Sequence, residues 1–131
     1  MTWRAWITLV AAGIVLAAAP PAGAGEGMLD GKTFVVEMGE VGTEEGEADD
    51  LVFTMGTFRS TGCDPYGFTA APYVAMEKDG SIHFEAEAAS PTEGRMVWKG
   101  VATGAEVEGS ATWYKGDETR AEYWYRGRLA D

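Results

Sequence analysis

The alternating stretch 95–129, RMVWKGVATGAEVEGSATWYKGDETRAEYWYRGRL, restricts the possible folds of this chain more than any other feature. Successive side chains of a strand point to opposite faces, so a period of two marks a strand. Met96, Trp98, Gly100 and Ala102 share one face, and Arg95, Val97, Lys99 and Val101 share the other. Past Gly104-Ala105, the residues Val107, Gly109, Ala111 and Trp113 alternate with Glu106, Glu108, Ser110, Thr112 and Tyr114. Glycine in first place suits a two-residue type II′ turn. That turn sets Thr103 opposite Glu106, pairs Trp98 with Ala111, and pairs Met96 with Trp113. Turn chemistry and hydrophobic pattern therefore agree on one register. A three-residue loop over 116–118 continues it by pairing Ala111 with Tyr123 and Gly109 with Tyr125, which lays large rings over small residues of the next strand.

The first residues read as an address rather than as fold. Arg4 is followed by an apolar run over 5–19, then by Pro20-Pro21, which ends any helix, and by the small-x-small site Ala22-Gly23-Ala24. We expect residues 1–24 to be a signal peptide cut after Ala24, and residues 25–131 to be one domain of a periplasmic or secreted protein. No cysteine stands near the cut, so a lipidated cysteine is not expected. The remaining 107 residues match the commonest domain size, about 100–150 residues. Without Arg4 they carry nine bases against 21 acids, a net charge of −12. That balance opposes binding to nucleic acid and docking on anionic lipid, and it favours solubility. No stable membrane insertion is expected once the signal is gone.

Along the rest of the chain the same grammar repeats. Residues 33–38, TFVVEM, read as a strand with Phe34, Val36 and Met38 on one face. Residues 39–50, GEVGTEEGEADD, lack an apolar period and read as a solvated loop rather than a calcium loop, because their spacing fits no calcium motif. Residues 51–59 read as one strand bulged at Gly56, where Phe58 falls out of phase. Residues 60–67 form a turn-rich link, and 68–76 a strand delayed by Pro72. Asp79-Gly80 is a hairpin signal with two possible outcomes. A two-residue loop sends Tyr73 and Ala75 inward, and a three-residue loop sends Val74 and Met76 inward. Ile82, Phe84, Ala86 and Ala88 follow as an inward face, with His83 pointing out.

These seven or eight short strands with tight turns predict an all-β fold. The expected form is a single up-and-down antiparallel barrel, closed or nearly closed, with a β-sandwich as the alternative. An exported chain of this design resembles the calycin-type barrels, the lipocalins and avidins. Leu29-Asp30-Gly31-Lys32-Thr33-Phe34 is a partial counterpart of the lipocalin Gly-x-Trp opening, with phenylalanine in place of tryptophan. The likeness is one of architecture across residues 31–129. It implies a small apolar molecule held in the barrel mouth.

The inward rings Phe34, Phe53, Phe84, Trp98, Trp113, Tyr123 and Tyr125 are the candidate ligand-binding residues, although the same rings suit core filling. No cofactor and no metal site is expected, because histidine and cysteine at ligand spacing are missing from the sequence. Cys63 and His83, the only cysteine and the only histidine, are not expected to meet as a catalytic pair. With no nucleophile elbow, phosphate loop or dinucleotide fingerprint, an enzyme is not expected. The expected function is a non-enzymatic barrel for a small apolar or amphipathic ligand. The alternative is a cell-envelope structural or protein-interaction module using outward Tyr114 and Trp124, placed diagonally on neighbouring strands, or a sheet edge.

Overall fold

Rings beside glycines and alanines set the shape of the barrel wall. The structure, a computed structural model, describes Ala24–Gly25 and residues 27–131; the expected signal peptide lies outside the described residues except for Ala24. The strands are β1 (Ala24–Gly25), β2 (Thr33–Glu40), β3 (Glu47–Thr54), β4 (Thr57–Ser60), β5 (Ala71–Lys78), β6 (Ser81–Ser90), β7 (Gly94–Thr103), β8 (Glu106–Lys115) and β9 (Glu118–Leu129). Strands β2 to β9 pair in antiparallel sequence, β9 returns to β2, and β5 joins both β4 and β6. The result is a closed eight-stranded up-and-down barrel, the fold class the alternation predicts. Two-residue β1 adds to the edge of β5 beyond short β4, where Ala24 faces Met76 and Gly25 faces Ala75.

The register in the second half is the expected one. Thr103 lies opposite Glu106, Trp98 opposite Ala111, and Met96 opposite Trp113. Ala111 pairs with Tyr123 and Gly109 with Tyr125. The route to that last pairing differs from the expected three-residue loop. The loop is Gly116-Asp117 alone, since Lys115 pairs with Glu118, and a bulge at Arg120 restores the phase before Ala121 meets Trp113. A bulge inserts one residue without moving the faces beyond it.

The first half corrects two expectations. Gly56 does not bulge a single strand over 51–59; it ends a hairpin. Met55 at φ 52° and Gly56 at φ 79° form the turn between β3 and β4, bringing Phe53 opposite Phe58. Phe58 is out of phase because the chain has reversed. A non-glycine residue rarely takes a positive φ, so Met55 hides this turn from a sequence reading. The loop over 39–50 is also shorter than expected. Strands β2 and β3 run into it, with Met38 opposite Glu47, and Asp49 is buried between them and the segment that follows β4. The Asp79-Gly80 ambiguity resolves to the two-residue loop, because Lys78 pairs with Ser81 and both turn residues have positive φ. Tyr73 and Ala75 accordingly face in, while Val74 and Met76 face solvent.

Inside, large and small side chains alternate around the wall. Trp98 lies between Ala86 and Ala111, Tyr125 beside Gly109, and Phe84 between Gly100 and Ala75. Phe53 sits at the hub of edge-to-face contacts, with ring centroids 6.0 Å from Phe34, 5.3 Å from Phe58, 4.9 Å from Tyr73 and 5.1 Å from Phe84. Such geometry aligns the positive ring edge with the negative ring face.

One end of the barrel is plugged by the segment before β2, which the sequence suggests only as a polar lead. Leu29 is fully buried there. Its N–H donates to the Tyr73 hydroxyl (2.9 Å), which donates in turn to Asp30 (2.8 Å). The Asp30 carboxylate also accepts the Gly56 N–H at 2.9 and 3.1 Å. Burial, followed by the bond to Asp30, pushes the Tyr73 phenol up to about 12. Burial likewise raises Tyr125, whose hydroxyl donates to the Lys99 carbonyl at 2.6 Å. A phenol raised in the folded state lends stability below its unfolded value, about 10, and withdraws it as pH climbs through the folded value. Stability is therefore expected to hold up to about pH 10 and to fall between there and about 12. Urea midpoints at rising pH, read beside tyrosinate absorbance, check this. A protein equally stable at both ends of that window, or one in which Tyr73→Phe leaves the decline unchanged, contradicts it.

Candidate functional site

The end of the barrel opposite the Leu29 plug stays open. The inward stripe Phe34-Val36-Met38 of β2 runs out at Met38, and Met96 and Trp113 face each other where β7 and β8 approach the same rim. With Tyr123 on β9, Phe68 and Cys63, these side chains line a cavity of about 530 Å³. That lies within the usual range for small-molecule sites, roughly 300–1,000 Å³. Trp113 is fixed by its indole N–H, which donates to the Glu93 carbonyl at 2.5 Å.

Strand register places a glutamate beside the apolar wall twice. Glu40 pairs with Tyr123 across β2 and β9, and Glu47 pairs with Met38 across β3 and β2. Glu93, in the turn before β7, also lines the cavity, and its backbone carbonyl holds Trp113. Directly opposed residues have their Cβ atoms about 4.5–5.5 Å apart. Burial raises the Tyr123 phenol, with Glu40 adding to the effect. The cavity lining also includes Glu45 and Asp49, and neither lysine nor arginine. Arg120 lies over the Trp113 ring at 5.8 Å and is tied to Glu118 at 3.0 Å.

Asp49 has a structural role. Its carboxylate accepts the Ser60 hydroxyl at 2.5 Å, the Thr61 hydroxyl at 3.3 Å and the Gly62 N–H at 2.7 Å. It thereby holds the start of the 3-10 helix Thr61–Tyr66, which brings Cys63 to the cavity wall. Burial pushes the Cys63 thiol up, against a lowering hydrogen bond from Ser60, with Asp49 and Asp64 raising it further. A raised thiol is a poor nucleophile at neutral pH. His83 is exposed on the outer wall and lines a different hollow, so the structure does not bring it to Cys63.

The seven candidate rings divide into two groups. Phe34, Phe53, Phe84, Trp98 and Tyr125 are at most 2% exposed and pack on one another or on small wall residues. Trp113 and Tyr123 are half-buried and face the mouth. The other mouth residues, Met38, Met96, Phe68, Cys63, Glu40, Glu47 and Glu93, were absent from that set. Met38 and Met96 had a usable signal, as they prolong the inward stripes of Phe34 and Trp98. The glutamates had none, because their places depend on the loop register.

A second hollow, of about 740 Å³, lies on the outer wall across β5 to β9. Val74, Met76, Val101 and Trp124 line it together with Glu85, Lys99, Glu108 and Arg126. Tyr114 and Trp124 do not form the expected diagonal pair. Trp124 lies opposite Ser110, and Tyr114 lies opposite Thr119 at the far end of the strand. Arg95 stacks on Tyr114 at 4.2 Å and Arg126 on Trp124 at 4.5 Å. The Trp124 indole N–H donates to the Thr43 carbonyl at 2.9 Å, and the Thr43 hydroxyl donates to the Glu40 carbonyl at 2.7 Å. Trp124 thus pins the acidic loop from outside and steadies the rim.

Among the described residues, no group of three or more His, Cys, Asp or Glu side chains is placed to hold a metal ion. No family model, no curated protein and no solved structure matches this chain.

Proposed function

We propose that this protein is an exported, non-enzymatic barrel that binds a small apolar or amphipathic ligand in its open mouth, in the manner of the calycin-type barrels it resembles in architecture. The observation that carries the reading is the contrast between the two ends. Leu29 and the Tyr73–Asp30 bonds stopper one end, while Met38, Met96, Trp113 and Tyr123 surround unfilled volume at the other. Apolar walls around a concave space, with a few polar groups at the edge, are the usual build of a small-molecule site. Fold alone does not assign a ligand. The proposed setting is the periplasm or the exterior, consistent with the leader expected at residues 1–24 and with the acidic surface.

Native mass spectrometry of protein purified from its source is expected to show a retained small molecule. Trp113→Ala is expected to weaken its binding tenfold or more, equivalent to about 1.4 kcal/mol, with the strand signature in circular dichroism intact. Ligand-free protein from the source, together with unchanged binding of apolar probes by Trp113→Ala, would sink the proposal. The alternative, a protein-interaction module, finds support in the outer hollow, where Val74 is 60% and Met76 53% exposed beside Trp124. Under it, Trp124→Ala abolishes a concentration-dependent association.

A further inference from the structure

Resting on the mouth reading above, we infer that the ligand is a cationic amphiphile, an organic ammonium with an apolar tail. The mouth offers two surfaces in a fixed order. Deeper lie thioethers and rings, Met38, Met96, Trp113 and Tyr123. At the rim stand Glu40 and Glu47, paired across strands with Tyr123 and Met38, and Glu93, which lines the same cavity and holds the Trp113 indole through its backbone carbonyl. A molecule whose tail fills the wall therefore has its head beside an acidic lining.

Among the described residues, these carboxylates are free to receive it. The ion pairs among the described residues use Asp64, Glu87, Glu118, Glu37 and Glu106, and include none of the three. Asp49 is set apart by its bonds to Ser60, Thr61 and Gly62. No base lines this cavity, whereas the outer hollow carries Lys99 and Arg126 against Glu85 and Glu108. The concentration of one sign of charge thus belongs to the mouth and not to every recess of an acidic protein. An acid-lined cleft with low-dielectric walls focuses its field on an entering cation. Trp113 and Tyr123 add ring faces that attract ammonium. The Arg120 guanidinium over Trp113 shows this contact already made once from within the chain. An anionic amphiphile, a fatty carboxylate for example, meets like charge along the cavity lining.

The test is calorimetric titration of the full chain with decyltrimethylammonium, decanol and decanoate, each below its aggregation concentration. Decyltrimethylammonium is expected to bind at least tenfold more tightly than decanol, and decanoate more weakly than either. The variant Glu40→Gln/Glu47→Gln/Glu93→Gln is expected to erase the cation's advantage and to leave decanol affinity within about twofold. Added salt weakens the cation alone, a second readout that needs no variant. Equal binding of cation and decanol overturns the inference but leaves the mouth reading standing, provided Trp113→Ala weakens both. A cation preference that persists in the triple variant shows that these three glutamates do not carry it and also overturns the inference. If no probe binds, the inference and the mouth reading fail together.

Discussion

Trp98→Ala is expected to lower the free energy of unfolding by about 3–5 kcal/mol, the usual cost of truncating a fully buried aromatic side chain. Trp98 is 1% exposed and makes ring contacts at 5.0 Å with Phe58 and 5.6 Å with Tyr125. Its neighbours on either strand are Ala86 and Ala111, too small to collapse into the space it leaves. The cavity term therefore adds in full to the lost transfer term. Trp113→Ala, at the open rim, removes a half-buried ring next to space that already exists and is expected to cost distinctly less. Urea unfolding of the two variants side by side checks the ranking. Equal losses would mean that the mouth is packed as tightly as the core, and the distinction between filled barrel and open mouth would fall.

The second large effect is expected from adding a single methyl group. In Gly109→Ala the new Cβ meets the Lys99 carbonyl oxygen and the Tyr125 phenol. One obstacle is backbone and the other is a buried ring that cannot swing away. The phenol must move, and with it goes its 2.6 Å bond to the Lys99 carbonyl. Overpacking together with a broken buried hydrogen bond is expected to cost about 2–5 kcal/mol. Because Gly109 and Tyr125 occupy one volume, a double-mutant cycle with Tyr125→Phe should depart from additivity by more than about 0.5 kcal/mol. Additive losses, or an alanine variant as stable as the parent, would show that the ring does not lie over the glycine. Gly116→Ala is a suitable contrast for packing alone, since a Cβ there meets nothing within 4 Å, although its φ of +64° favours glycine.

The second half of the barrel was legible because three independent signals coincided there. Glycine opened a two-residue turn, the apolar stripe kept period two across it, and each large ring fell opposite a small residue. Any register other than the one formed by Trp98 with Ala111 and Tyr125 with Gly109 breaks one of these. Even the shorter loop at Gly116-Asp117 left the pairing intact, because the Arg120 bulge absorbed the difference.

In the first half the signals were weaker or of another kind. Met55 occupies a left-handed turn position that sequence statistics assign to glycine, asparagine or aspartate, so β3 and β4 looked like one strand. Asp49 broke the apolar stripe of β3, yet it faces in because Ser60, Thr61 and Gly62 satisfy its oxygens. Those donors lie more than ten residues downstream, and no local rule connects them. Leu29 was missed for a related reason. A single leucine in a polar lead has no period, and its burial depends on the Tyr73 hydroxyl far along the chain.

The mouth shows the same division. Trp113 and Tyr123 were legible as inward rings, but so were Phe34, Phe53, Phe84, Trp98 and Tyr125, and period two cannot tell a ring at mid-barrel from one at the rim. That difference lies in depth along the barrel axis, which is set by where the opposite strands end. Glu40, Glu47 and Glu93 are legible only as acids. Their convergence on one apolar cavity follows from strand stagger and from the Trp113 and Trp124 bonds that hold the neighbouring loops.

By itself, then, the sequence determined the all-strand fold, the faces of most strands and the register of the last three, because those properties depend on neighbours two residues apart or on turns of two or three residues. Which end of the cylinder is sealed and which is open was decided only in three dimensions. That outcome depends on contacts such as Leu29 with Tyr73 and Glu40 with Tyr123, made between residues far apart in the chain, and a local pattern holds no information about them.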